Sequence, residues 1–296
     1  MTTVTFLGTG CMQPTKLRNH AGILLSYGNE NILFDCGEGI QRQMRIAGIK
    51  PAKITRLCIT HFHGDHVFGI AGLMSSMGAD QFAKKLHIYG PKGTKKYLNY
   101  LWKSFATKDI IEHEVHEVNS GIFFENGLFS LEAQPLEHST KCIGFKFKEK
   151  DKRRINVAKA NKLGLEGPIL GKLQQGKSVV VDGKTIKADE ITSVVRGKVV
   201  SYITDTSLCN GVNKLAKEAD LLIIEGTFLD DLKKNASESG HLTVKQAALV
   251  ASQNNVKKLA ITHLSQRYKS SADVASEARD YFDESVIAED FMKIEL

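Results

Sequence analysis

Four side chains able to bind a cation stand within six consecutive residues, His61-Phe62-His63-Gly64-Asp65-His66. Zinc accepts imidazole nitrogen and carboxylate oxygen, and a catalytic zinc keeps one position open for water. His61 and His63, two residues apart, can converge on one ion. Gly64 permits a tight turn, after which Asp65 and His66 can face a second ion. A run of this kind is incomplete by itself. Whatever fold the chain adopts must bring further ligands to it from distant segments.

The sequence offers them in a repeated setting. Ile59-Thr60-His61, Ile203-Thr204-Asp205 and Ile261-Thr262-His263 each place a potential ligand just past an apolar strand, and Gln134-Pro135-Leu136-Glu137-His138 does nearly the same. The simplest assignment gives His61, His63 and His138 to one zinc, Asp65, His66 and His263 to a second, and makes Asp205 the bridge. Asp35, in Asp35-Cys36-Gly37-Glu38-Gly39, also follows a strand; it is expected to accept a hydrogen bond from a ligand histidine and so fix its tautomer. Isolated histidines such as His87, His113 and His116 read as ordinary ones. Two zinc ions lower the pKa of water toward neutrality and offset charge on a phosphate oxygen. The departing alkoxide then needs a proton. His241, left over from the ligand set in the polar loop Ser237-Glu238-Ser239-Gly240-His241, is the candidate donor, with Glu225 at the end of an apolar strand to orient it. Asp65, His241 and Glu225 are thus the candidate catalytic residues.

The first half reads as strands separated by short helices. Gly22 to Tyr27 and Asn31 to Asp35 flank a Gly28-Asn29 turn and predict a hairpin. Gly39 to Ala47 is helix-like, Lys53 to Thr60 and Leu86 to Tyr89 are strands, and Ile122 to Pro135, broken at Asn126-Gly127, predicts a second hairpin. Tyr97, Leu98, Leu101, Trp102 and Phe105 have helical spacing over Thr94 to Phe105. Past residue 198, strands at Val199 to Thr204, Leu221 to Glu225 and Leu259 to Thr262 alternate with helical patterns at Val212 to Ala219, Val244 to Ser252 and Ala272 to Phe282.

Between the halves, charge takes over from periodicity. The 296-residue chain carries a net +7, and Lys146 to Lys198 alone holds fourteen Lys/Arg against six Asp/Glu, +8, leaving −1 for the remainder. The stretch contains Gly164, Gly167-Pro168, Gly171, Gly176 and Gly183 and predicts a partly structured insertion, 146–198, within a single domain of residues 1–296. A basic segment on a neutral body suits a polyanion. The 42% apolar content supports a sizeable core. No apolar run approaches the roughly eighteen residues of a membrane span, and the N-terminus enters directly into a strand at Val4-Thr5-Phe6-Leu7-Gly8 rather than a signal peptide. Five scattered cysteines, Cys11, Cys36, Cys58, Cys142 and Cys209, with no CxxC pair, suit a reducing cytoplasm.

His61 to His66 with His138, Asp205 and His263 resembles the metallo-β-lactamase superfamily over nearly the whole chain. That resemblance implies an α/β fold, a four-layer αβ/βα sandwich with a projecting basic arm. Three segments resemble the ribonuclease Z family within it. Pro14-Thr15-Lys16-Leu17-Arg18-Asn19 matches its PxKxRN loop. The run from Gly164 to Leu173, centred on Gly167-Pro168, matches its flexible-arm motif, and Tyr202-Ile203-Thr204-Asp205-Thr206 its aspartate motif. The family's HEAT segment stands here as Ile224-Glu225-Gly226-Thr227, and its HST segment as His241-Leu242-Thr243. The resemblance implies two zinc ions per subunit, precursor tRNA as partner, a homodimer, and cleavage that removes the 3′ trailer. It implies substrate contacts at Lys16, Arg18, Asn19, Gly167, Pro168, Lys172 and Thr243.

Two other readings use the same residues. A small-molecule phosphodiesterase or other hydrolase of this fold needs the same metal site but leaves the basic segment without a purpose. A non-catalytic RNA-binding protein leaves the full ligand set without one. Manganese or iron suits such nitrogen and oxygen ligands as well.

Overall fold

The structure, a computed structural model, describes residues 1–296 except 105, 107–109 and 182. Phe105, expected at the end of a helix, lies outside the described residues. The chain divides into two compact units, one of residues 1–124, 131–147 and 199–296, the other of 125–130 and 148–198. In chain order the elements run β1 (Thr2–Gly8), β2 (Gly22–Tyr27), β3 (Glu30–Phe34), α1 (Ile40–Ile46), β4 (Arg56–Cys58), α2 (Gly64–Val67), α3 (Ile70–Ala79), β5 (Leu86–Gly90), α4 (Thr94–Lys103), β6 (His113–Glu117), β7 (Gly121–Glu125), β8 (Phe129–Leu136) and β9 (Cys142–Glu149). There follow β10 (Lys152–Ile155), α5 (Val157–Lys162), α6 (Pro168–Gln174), β11 (Val179–Val181), β12 (Lys184–Ile186), α7 (Ala188–Ile191) and β13 (Thr192–Val195). The last third holds β14 (Val199–Ile203), α8 (Asn210–Ala216), β15 (Leu221–Glu225), α9 (Lys233–Ser239), α10 (Val244–Gln253), β16 (Leu259–Thr262), α11 (Ala272–Tyr281), β17 (Ser285–Ile287) and β18 (Lys293–Glu295).

The first unit is built on two seven-stranded sheets, ordered β18-β1-β2-β3-β4-β5-β6 and β17-β16-β15-β14-β9-β8-β7. Their inner faces meet through aromatic rings: Phe34 packs on Phe145 and Tyr202 with centroids 5.7 and 5.5 Å away, Tyr27 on Phe147 at 5.5 Å, and Tyr89 on Phe123 at 4.8 Å. On the outer face of the first sheet, Leu24, Leu33, Leu57 and Ile88 pack against Met44 of α1, Leu73 and Met77 of α3 and Leu98 of α4. On the second, Leu222, Ile224, Leu259 and Ile261 pack against Leu215 of α8, Ala247 and Val250 of α10 and Val274 of α11. Helix, sheet, sheet, helix is the expected α/β four-layer sandwich. Each fully buried Leu or Ile in these layers contributes about 1.5–3 kcal/mol.

Parallel pairing brings the important ends together. β3, β4, β5 and β6 are parallel neighbours, as are β14, β15, β16 and β17. The predicted strand at 53–60 is shorter than expected. Pro51–Lys53 forms a 3₁₀ turn, favoured by proline at its first position, and β4 is only Arg56–Cys58. Beyond it the Thr60 N–H leaves the ladder and donates to the Asp35 carboxylate at 2.8 Å. That departure aims the following histidines out of the sheet.

The basic segment is better folded than its sequence suggests. β10 pairs antiparallel with β13, and β11 with β12. Asn156 caps α5 by accepting from the Lys159 N–H at 3.1 Å, and α6 begins at Pro168 after Gly167 in a positive-φ conformation. Leu165, Leu173, Val179, Ile186 and Ile191 lie within its small core. Its elements are seven residues or shorter, too brief for a helical or strand period to register.

Candidate metal centre

Every candidate ligand follows the carboxyl end of a strand or sits in the turn after it. His61 and His63 leave β4, Asp65 and His66 lie in α2, His138 follows β8, Asp205 follows β14 and His263 follows β16. Asp35, Asp205 and His263, each the first or second residue past its strand, have φ of 56°, 48° and 58°. Non-glycine residues seldom adopt this left-handed conformation, and its use three times at one site marks a functional constraint. Close packing fixes the motif further. Cys36 N–H donates to the His66 carbonyl at 2.8 Å and Gly69 N–H to the Cys36 carbonyl at 2.9 Å. A Cβ on Gly37 would collide with the Asp65 carbonyl, and one on Gly69 with that of Gly37.

Ligand atoms gather in two main sets, with Asp205, His241 and His263 forming a further group that overlaps both. His61, His63, His138 and Asp205 form one, and Asp65, His66 and His263 the other. Asp205 divides its oxygens between them. Oδ2 lies 3.6 Å from His61 Nε2 and 3.8 Å from His138 Nε2, while Oδ1 lies 3.4 Å from His66 Nε2 and 3.3 Å from His263 Nε2. Asp65 Oδ2 is 3.5 Å from both His66 Nε2 and His263 Nε2, and His138 Nε2 is 3.3 Å from His63 Nδ1. Donors about 2.0–2.1 Å from a shared tetrahedral ion lie about 3.3–3.4 Å from one another, so these separations suit cations. The buried Nε2 atoms of His61, His66 and His263 make no hydrogen bond. Such orphaned nitrogens are costly unless a cation takes them, and on this ground the residues fit divalent metal.

The opposite ring nitrogens are held by protein oxygens, which sets each tautomer. His66 Nδ1 lies 2.8 Å from Asp35 Oδ2, His138 Nδ1 3.0 Å from the Gly240 carbonyl, His61 Nδ1 3.1 Å from Thr60 Oγ1 and His263 Nδ1 3.2 Å from Thr227 Oγ1. Asp35 is fully buried and also accepts from the Tyr202 hydroxyl at 3.0 Å and from the Thr60 hydroxyl. It therefore orients a ligand rather than being one. Burial opposes a proton on His66, but Asp205 and Asp35 outweigh it and hold its pKa well above the usual histidine range. Burial likewise opposes charge on Asp205, yet His263, His66 and His61 hold its pKa well below the carboxylate range. Metal binding displaces protons from such a cluster, so affinity should fall with acidity.

Beside the ligands stands a second device. His241 Nδ1 lies 3.1 Å from both oxygens of Glu225. Glu225 is fully buried at the end of β15 and accepts from the Thr206 N–H and the Thr227 hydroxyl, both at 2.7 Å. Burial lowers the His241 pKa, but the Glu225 charge more than compensates and raises it. A cleft of about 430 Å³ is lined by His63, Asp65, His138, Asp205 and His241 together, with Cys11, Met12 and Phe68 at its walls.

The expected substrate contacts divide. Lys16 is exposed and, with Lys269, lines a separate cavity of about 660 Å³. Arg18 is turned inward: its guanidinium donates to Thr9 Oγ1 at 2.7 Å and to the Ala288 carbonyl. The Asn19 side chain donates to the Glu38 carbonyl at 2.8 Å, and its N–H to Asp290 at 2.8 Å. These two residues shape the loop from within. Thr243 is a correction: it is fully buried, and its hydroxyl caps α10 in a capping box with Gln246, leaving no surface for substrate. In the second unit, Gly167, Pro168 and Lys172 line the start and first turns of α6, with Gly167 and Pro168 exposed.

Sequence reasoning missed Tyr202, Thr227, Gly240 and Met12, whose N–H donates to Asp65 Oδ2 at 2.9 Å. The threonines preceding His61, Asp205 and His263 were a legible signal; a backbone carbonyl such as that of Gly240 leaves none. His87 and His116, ordinary by sequence, cluster with Glu114 on β5 and β6, with His87 Nδ1 3.4 Å from His116 Nε2. Lys85 lies 3.8 Å from Glu114 there.

Known proteins resemble this chain along the same lines. Residues 2–150 match the family model described as anti-Pycsar protein Apyc1. The chain is 42% identical to a ribonuclease Z of Methanothermobacter thermautotrophicus, covering 100% of this chain and 97% of that protein. It is 38% identical to a ribonuclease Z of Nocardia farcinica over 98% of this chain and 96% of that one. The crystal structure of human tRNase Z, short form, superposes with a TM-score of 0.74 at 30% identity, covering 99% of this chain and 98% of that one.

Proposed function

This chain belongs to the ribonuclease Z family, and we propose that it is a zinc-dependent endoribonuclease that removes the 3′ trailer from precursor tRNA. The observation that carries the reading is the single carboxylate of Asp205, one oxygen toward each histidine set, beside the His241–Glu225 pair. We assign one zinc to His61, His63 and His138, a second to Asp65, His66 and His263, and Asp205 to both. When bound, the two ions supply an activated hydroxide at neutral pH and offset charge gathering on the phosphate.

The protein's own groups do the rest. Asp35, Thr60, Thr227 and the Gly240 carbonyl keep the imidazoles pointed inward without further rearrangement. Glu225 accepts from His241 Nδ1, which leaves Nε2 to carry the transferable proton. As the P–O3′ bond breaks, His241 gives that proton to the tRNA 3′-oxygen. The attacking oxygen leaves on the trailer as part of its 5′-phosphate. Glu225, sealed from solvent, stabilises the imidazolium before transfer.

Recognition is assigned elsewhere. The second unit, with Gly167, Pro168 and Lys172, serves as a basic arm that grips folded tRNA through its phosphates, and Lys16 contacts RNA near the cut. The enzyme acts as a cytoplasmic homodimer. No helix among the described residues is long and apolar enough to cross a membrane. Incubation with zinc and a 3′-extended precursor tRNA tests the reading: one cut after the discriminator base is expected. Turnover of small phosphodiesters alone, or RNA binding without a cut, would replace it with one of the other two readings.

A further inference from the structure

A groove of about 440 Å³ adjoins the metal centre in sequence and carries a different chemistry. Phe62, between the ligands His61 and His63, forms part of its lining, and Lys141, three residues after His138, another part. The loops that present two metal ligands therefore also build this groove. Its remaining face comes from the first turn of α4, with Lys92 just before it and Lys96 and Tyr97 upon it.

Two features set it apart. The rings of Phe62 and Tyr97 stack, with centroids 4.8 Å apart and planes at 29°. Tyr97 is nevertheless 47% exposed, and Tyr100, one turn on, is 56% exposed with the Lys96 ammonium 5.7 Å from its ring centroid. Around the rings stand the exposed lysines Lys92, Lys96 and Lys141. The acid in the groove, Glu117, is already engaged: its Oε1 accepts from the N–H groups of Gly93 and Lys95 at 2.9 and 3.1 Å. The groove thus offers an open aromatic face and a surplus of ammonium groups. Aromatic platforms with flanking cations bind single-stranded nucleic acid, since every base has a face to stack and every nucleotide a phosphate.

We propose that this groove is a binding site for single-stranded RNA and holds the 3′ trailer during cleavage. The inference rests on the endonuclease reading for its occupant. Duplex parts of a tRNA already stack their bases internally, so an exposed aromatic face favours the unpaired segment. The volume lies within the roughly 300–1,000 Å³ of sites that enclose a single small ligand, enough for about one nucleotide unit. Lys92, Lys96 and Lys141 meet its phosphate and those beside it.

The test compares two precursors that differ only in trailer length, about one nucleotide against about ten, with a free 5′-phosphorylated oligoribonucleotide as a binding probe. Tyr97→Leu keeps apolar packing on Phe62 and removes the stacking face; Tyr97→Phe restores it. Tyr97→Leu should raise KM for the long trailer about tenfold more than for the short one, and weaken oligonucleotide binding about tenfold, with Tyr97→Phe near wild type. Lys96→Ala with Lys141→Ala should make oligonucleotide binding less salt-dependent, by about 0.7 in log–log slope for each phosphate left without its lysine. Equal KM changes for both trailers together with unaltered oligonucleotide binding would overturn the groove assignment. If wild type cuts neither precursor, the endonuclease reading fails, and oligonucleotide binding still decides the groove: weaker binding by Tyr97→Leu upholds an RNA site, and wild-type binding removes it.

Discussion

The two units of this molecule differ in how tightly their functional groups are specified. In the first, the imidazoles of His61, His66, His138 and His263 each have one nitrogen fixed by a neighbour and the other aimed toward Asp205, with Asp35 buried behind them. In the second, a small core of residues such as Leu173 and Ile191 supports a surface on which lysines stand exposed. Coordination fails when a donor moves a few tenths of an ångström from about 2.0–2.1 Å. Attraction to a polyanion persists over a Debye length of about 8 Å in physiological salt. Chemistry therefore demands a rigid scaffold of long-range contacts, whereas recognition by charge needs only enough fold to display it.

That contrast can be broken at several points. The largest effect should come from Asp205→Ala, which takes a donor from both sets at once. Metal content by elemental analysis should collapse, and activity should fall roughly ten-thousandfold or more on precursor tRNA and on a small phosphodiester alike; retention of both metals would show the carboxylate is no bridge. Next, most of the basic segment, residues 150 to 196, can be excised from the second unit. Its ends are close, since the Glu149 N–H donates to the Lys198 carbonyl at 2.9 Å, so a short linker can rejoin them. If the proposed arm grips tRNA by neutralising its phosphates, tRNA processing should drop about a thousandfold while hydrolysis of the small phosphodiester persists. Loss of both would mean the units are not separable in function.

His241→Ala should lower kcat on tRNA about a hundred- to ten-thousandfold without loss of metal. An aryl phosphodiester, whose leaving group needs no proton, should be much less affected. The pH profile sharpens the point. The pKa of His241 is raised in the fold, so the proton it donates is present below that value and lost as pH rises through it. Glu225→Gln removes the raising charge, and the alkaline limb of the rate should move to lower pH; an unmoved limb would assign the proton to another group. The smallest effect belongs to Asp35→Asn, which frees the His66 ring and should weaken metal affinity about ten- to a hundredfold, read by chelator competition.

Much of the first unit was legible because its candidate ligands are marked locally. HxHxDH is contiguous, and the Ile-Thr-ligand echo showed where the strands leading to His61, Asp205 and His263 end. β15 and β16 stand where apolar runs predicted them. Elements defined by distant pairing were not legible: β18 is three residues, Lys293–Glu295, whose only instruction is its place beside β1. β9 alternates only in its second half, Phe145-Lys146-Phe147-Lys148, where the two rings meet the opposite sheet; its first half, Cys142 to Gly144, is buried throughout and shows no period. The basic segment concealed its order for the converse reason, since Leu165, Leu173 and Ile186 are too widely spaced to reveal a period. Arg18 serves two settings that its sequence position does not separate: its guanidinium braces the loop from inside, and the residue also lines the cavity beside Lys16.

The left-handed bends after β3, β14 and β16 restrict which amino acids evolution can try at those positions. Among side chains that bind zinc, cysteine and glutamate have no special tolerance for that backbone, whereas aspartate and histidine occupy it several times more readily than other non-glycine residues. The candidate ligand positions 205 and 263 hold Asp and His, while position 35, which holds the His66 ring and is no ligand, is Asp as well. Two independent filters, one of chemistry and one of chain geometry, thus admit the same short alphabet, and a redesign that swaps Asp205 for Glu to change the metal would have to rebuild the turn as well.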